Sequence, residues 1–160
     1  MMRFLTPMAA TLLVAAPAVA QTVSPATYVA KAGASDRFEM ESSRLVLGST
    51  KDPKVRDFAN QMIADHTQST QQVKAAAKQA GITVPPPKLE PMQAKNVAEL
   101  RRATGTARDQ LYMQQQRTAH QMALDLHQGY AQNGSSAPLK AVAAQITPVV
   151  QSHMQHLTAM

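Results

Sequence analysis

Proline and glycine cut this chain into long stretches with helical spacing, and none of those stretches alternates apolar and polar residues as a strand would. Ser24-Pro25 and Asp52-Pro53 each put a capping side chain directly before a proline, the pairing that opens a helix. The first long helix is predicted from Ser24-Pro25 to about Leu47, with a turn over Gly48 to Asp52. The second carries Val55, Phe58, Ala59, Met62, Ile63, His66, Val73, Ala76 and Ala80 on one face and ends at Gly81. Pro85-Pro86-Pro87 cannot be helical and must cross in an extended form.

A short helix is predicted from Pro91 to Ala103. Thr106 caps the third long helix, with Asp109 at its third position. That helix carries Leu111, Tyr112, Ala119, Met122, Ala123, Leu126 and Tyr130 and stops at Asn133-Gly134. Ser136 and Pro138 open the fourth, with Leu139, Val142, Ile146, Val149, Val150, His153 and Leu157 on its apolar stripe. Pro148 removes a backbone donor inside it and should kink it. Two hairpins joined by a long crossover with a short extra helix give an all-α fold, a ferritin-like four-helix bundle. The length of the middle connection disfavours a simple up-and-down bundle.

Residues 1–20 read as a signal peptide. Arg3 is the positive end, Leu5 to Val19 is largely apolar, and Ala18-Val19-Ala20 is a small-residue cleavage site. The apolar run is too short for a transmembrane helix and is broken by Pro17. The expected location is the periplasm, with residues 21–160 as one domain. The chain has no cysteine, which excludes disulfides, thiolate ligands and thiol nucleophiles. Without Arg3 there are 15 basic and 10 acidic residues, a charge of about +5. That favours an anionic membrane surface or envelope protein as partner. Few aromatics and no dense basic run argue against nucleic acid.

Four polar residues fall on or near the apolar faces: Glu39, His66, His120 and His153. Glu39 lies about 13 residues before the first turn and His66 about 14 after it. His120 lies about 15 before the second turn and His153 about 18 after. At 1.5 Å per residue the two groups of each hairpin differ in depth by roughly 2 to 5 Å, so all four can share one layer. Three imidazoles and a carboxylate suit one divalent metal ion, Zn, Fe, Mn or Cu. Asp65 and Glu41 are candidates for supporting positions: Asp65 orients His66 of a neighbouring helix or faces solvent, and Glu41, on a stripe with Phe38 and Leu45, is the alternative inward carboxylate. The Glu-x-x-His pairs of a di-iron centre are missing, so a mononuclear site, or none, is favoured over a dinuclear one. His127 and His156 are assigned to the surface or rim, and the methionines to core filling.

The rival reading is a non-catalytic structural or interaction module, in which the same four residues satisfy one another and the basic surface meets a partner. A redox enzyme ranks last, since it needs an open coordination position and a second carboxylate. No hydrolase or phosphate-binding motif is present.

Glu39, Val55-x-x-Phe58-Ala59-x-x-Met62-x-x-Asp65-His66-Thr67, Gly105-x-x-x-Asp109-x-x-Tyr112, His120, and Pro148 with His153 together resemble the bacterial envelope family "domain of unknown function 4142". The resemblance runs from about Tyr28 to Leu157. It implies a ferritin-like bundle and no agreed activity. Members are often labelled outer membrane proteins, but this sequence has no strands to build a barrel. The chain departs from the pattern at Arg108, where an aromatic is usual, and at Asp36, where glycine is common. Both are expected to lie outside the proposed layer.

Overall fold

A computed structural model describes residues 23–160; the signal-peptide reading of residues 1–20 lies outside them. Five helices occur in the order α1 (Pro25–Leu47), α2 (Pro53–Gln79), α3 (Pro91–Arg102), α4 (Gly105–Asn133) and α5 (Ala137–Ala159). The described residues contain no strand. No helix among them is long and apolar enough to cross a membrane.

Two of the predicted starts work as expected. Ser24 accepts a hydrogen bond from the Thr27 amide at 3.2 Å, and Asp52 from the Lys54 amide at 2.8 Å, each just ahead of a proline. At the end of α2, Gly81 adopts φ +69°, and the Gly81 and Ile82 amides turn back to the Lys78 and Ala77 carbonyls. This is a Schellman ending, which glycine fits without strain. Glu90 and Gln93 form a reciprocal capping box on α3. One start differs from expectation. Thr104, not Thr106, is the cap residue of α4, and Asp109 instead accepts a hydrogen bond from the Thr50 hydroxyl in the buried end of the bundle.

α1 pairs with α2 and α4 with α5, while α1 also packs on α4 and α2 on α5. Tyr28, near the start of α1, meets His127 and Tyr130 near the end of α4. The start of α4 meets the loop after α1, through Thr50 and Asp109. The connection from α2 to α4 therefore runs the length of the bundle. Its extended part lies against α1, where Arg37 donates to the Pro87 carbonyl at 2.8 Å. A Cβ on Gly33 would stand 3.3 Å from Pro87 Cβ, so glycine permits this close approach. α3 then packs on α1 and α4.

Two apolar clusters fill the interior. One gathers Tyr28, Ala32, Val73, Ala77, Tyr130, Leu139, Ile146 and Val150. The other gathers Val46, Phe58, Met62, Leu100, Tyr112 and Leu157. Buried Asp36, Glu39, His66, Gln116, His120 and His153 belong to neither. Two residues expected on apolar stripes are exposed: Met122 at 45 % and Val149 at 41 %. Each is one position from a residue that is buried, Ala123 and Val150. A long helix in a bundle buries only the strip its neighbours cover. α5 runs through Pro148 to Ala159, and the proline leaves the Ala144 carbonyl without its helical donor.

Candidate metal centre

α2, α4 and α5 each send one imidazole inward: His66, His120 and His153. All three are buried, and one ligand atom from each lies within 4.8 Å of the others. The rings sit 5.3 to 5.9 Å apart, centre to centre.

The outer nitrogen of each ring is held by an oxygen acceptor. His66 Nδ1 meets Asp36 Oδ1 at 2.9 Å, and Asp36 Oδ2 accepts from the Thr70 hydroxyl at 2.9 Å. His120 Nδ1 meets the Gln116 carbonyl at 2.9 Å. His153 Nε2 meets Asp65 Oδ2 at 2.8 Å. Carbonyl and carboxylate oxygens only accept, so each of these ring nitrogens carries hydrogen. That leaves His66 Nε2, His120 Nε2 and His153 Nδ1 as inner nitrogens. His66 Nε2 has no hydrogen-bond partner, and His120 Nε2 stands 3.3 Å from His153 Nδ1. Outer N–H groups anchored on oxygen, with inner lone pairs converging, is how proteins orient imidazoles for a metal.

The electrostatics are those of a crowded, buried site. Burial pushes His120 down to about 3, with positive charge on His66 and His153 adding to the shift. Burial also lowers His153, against the pull of Asp65. His66 moves the other way. Burial disfavours its charge, but the Asp36 carboxylate, helped by Glu39 and Asp65, more than offsets this.

Glu39 is fully buried beside the site but outside the three-nitrogen group. Its Oε1 is 3.8 Å from His120 Nδ1, the outer nitrogen, and neither oxygen has a hydrogen-bond partner. Burial pushes its carboxyl up to about 7, against the lowering effects of His66 and Gln116.

The supporting residues differ from the sequence expectation. Asp65 holds His153, not His66. Glu41 is half-buried and paired with Arg37 and Arg101. Asp36 was expected to lie outside the layer, yet it is the residue that holds His66. Its signal was present: Asp36 is three residues before Glu39, on the same face of α1. His127 is not a rim residue. It is 3 % exposed, bonds the Tyr28 hydroxyl at 2.9 Å, and burial pushes it down to about 4. His156 does lie at the surface, with Nδ1 3.3 Å from Gln61 Oε1. Met62 is core, packed with Phe58 and Tyr112.

Arg108 has a structural role at the start of α4. Its guanidinium donates to the carbonyls of Leu45, Leu100 and Ala103 and to Ser49 Oγ, tying α1, α3 and α4 together.

The fold is similar to that of a solved chain, a DUF305 fragment from Deinococcus radiodurans, with a TM-score of 0.72 at 15 % identity. The likeness covers 84 % of this chain and 93 % of that one, and at this identity it speaks to fold alone. No curated protein matches. The family described as a domain of unknown function (DUF4142) matches residues 10–160, and the chain belongs to that family.

Proposed function

We propose that this protein binds one divalent transition metal through His66, His120 and His153, as an exported ferritin-like bundle engaged in metal handling or envelope stress rather than in a defined reaction. The observation that carries the reading is that three buried imidazoles bring one ligand atom each within 4.8 Å of the others, while a nitrogen of each ring meets an oxygen acceptor. A three-imidazole donor set suits Zn, Cu or Fe, with Mn less well matched. Glu39 is the neighbouring carboxylate that would complete the set, and its unpartnered oxygens support that role.

The experiment is elemental analysis of protein purified without a histidine tag, followed by metal titration. One metal per chain, lost in His66→Ala and in His120→Ala, supports the reading. Metal-free protein whose thermal stability does not respond to added Zn, Cu, Fe or Mn overturns it.

A second reading is favoured by the raised affinity of His66 for a proton. In it the cluster is held by shared protons, and the protein is a structural or interaction module with a basic surface facing an anionic membrane or envelope partner. Salt-sensitive binding to anionic vesicles, with no metal uptake, would decide for it.

A further inference from the structure

A cavity of about 240 Å³ lies between the α1–α2 hairpin and the extended crossover. Val29 and Val73 contribute apolar side chains from the helices, and Val84 with Pro85 to Pro87 cover it from the crossover. Asp36 and Thr70 line it as well. They bond each other, and Asp36 is also bonded to His66, so this carboxylate is already satisfied and nearly solvent-free. The remaining polar lining is Lys74 from α2 and Lys88 from the crossover, both exposed. No acidic partner within salt-bridge distance holds either lysine among the described residues.

We propose that this cavity, which none of the three imidazoles lines, is a binding site for a small apolar monocarboxylate. Its body would lie among Val29, Val73, Val84 and the prolines, and its carboxylate would meet Lys74 and Lys88. Size sets the class. An apolar cavity of about 150 Å³ holds benzene, so this one takes a ligand about half as large again, such as a medium-chain fatty acid. It is below the roughly 300 to 1,000 Å³ of sites for drug-sized molecules. Charge sets the sign, because Lys74 and Lys88, without an acidic partner among the described residues, line an apolar cavity whose one lining carboxylate is occupied. The crossover supplies the cover in rigid form, since consecutive prolines have little conformational freedom to lose on binding.

The test is calorimetric titration of chelator-treated full-length protein with octanoate, with 1-octanol and octylamine as controls. Saturable octanoate binding at one site, with both controls weaker, is expected. The double variant Lys74→Glu/Lys88→Glu should weaken octanoate by about tenfold or more. Val84→Trp, a change on the partly exposed crossover, should block it by filling the cavity. His120→Ala should bind octanoate as the wild type does, since His120 does not line the cavity. That separates failure here from failure of the metal reading. No octanoate binding at millimolar concentration, equal binding of octanol or octylamine, or undiminished binding by the lysine variant would each overturn the proposal.

Discussion

His120 Nε2 and His153 Nδ1 face each other at 3.3 Å, while their opposite nitrogens are committed to the Gln116 carbonyl and the Asp65 carboxylate. With hydrogen on both outer nitrogens, two neutral rings would turn lone pairs toward each other in a buried site. On the proposed metal reading the ion is what those facing lone pairs hold; on the second reading it is a shared proton. Burial disfavours the proton on both rings, and most on His120.

Asp65 and Asp36 should therefore tune metal affinity without touching the metal. Asp65→Ala and Asp36→Ala are each expected to weaken binding by about ten- to hundredfold. Asp36→Ala should also destabilise the protein by about 1–3 kcal/mol, because it strands the buried His66 N–H and takes the acceptor from the part-buried Thr70 hydroxyl. Competition titration with a chromophoric chelator and urea unfolding measure the two effects. Unchanged affinity in both variants would show that the carboxylates do not support a metal.

Acid should destabilise the metal-free protein partly through His127. Its folded pKa is about 4, against about 6.5 when unfolded. Above pH 6.5 neither state holds the extra proton, and the full stability is present. Between about pH 6.5 and 4 the unfolded chain takes up the proton and the folded chain does not, so stability falls as pH falls. The contribution lost over that window is about 3 kcal/mol. Urea unfolding at a series of pH values should show a slope shallower by about one proton in His127→Gln than in the wild type. Parallel profiles would mean that His127 is not buried neutral.

Arg108 should matter for stability and not for the imidazole cluster. Arg108→Ala leaves the carbonyls of Leu45, Leu100 and Ala103 short of a donor and is expected to cost about 1–3 kcal/mol. Arg108→Lys should recover only part of this, since one ammonium lacks the spread of a guanidinium. Metal titration of either variant should match the wild type.

Two glycines in or beside α4 should respond in opposite directions. A Cβ on Gly134 would stand 2.6 Å from the Tyr130 carbonyl oxygen and 2.5 Å from its ring. Tyr130 in turn stacks on Tyr28 with ring centres 4.0 Å apart, so Gly134→Ala must displace a packed aromatic pair, at a cost of about 1–3 kcal/mol. Gly129 has open space around its Cβ position, and Gly129→Ala should stabilise by roughly 0.5–1 kcal/mol. Thermal melts of the two variants check the signs.

Local signals placed the helix ends, apart from the start of α4, where Thr104 and not Thr106 is the cap residue. A capping side chain before a proline, or a glycine after the last helical turn, acts within a few residues and is written in order along the chain. The same counting along helices brought His66, His120 and His153 to a common depth, because rise per residue is constant and hairpin turns are short. Depth, however, says nothing about rotation. Which way each helix faces depends on how the hairpins dock, and that decided that Asp65 meets His153 across the α2–α5 contact, that Asp36 holds His66, and that Glu41 pairs with Arg101. His127 shows the same limit from the other side. Its spacing from Ala123 and Tyr130 puts it on the buried face of α4, but only the packing of α1 on α4 brings Tyr28, 99 positions away, against it.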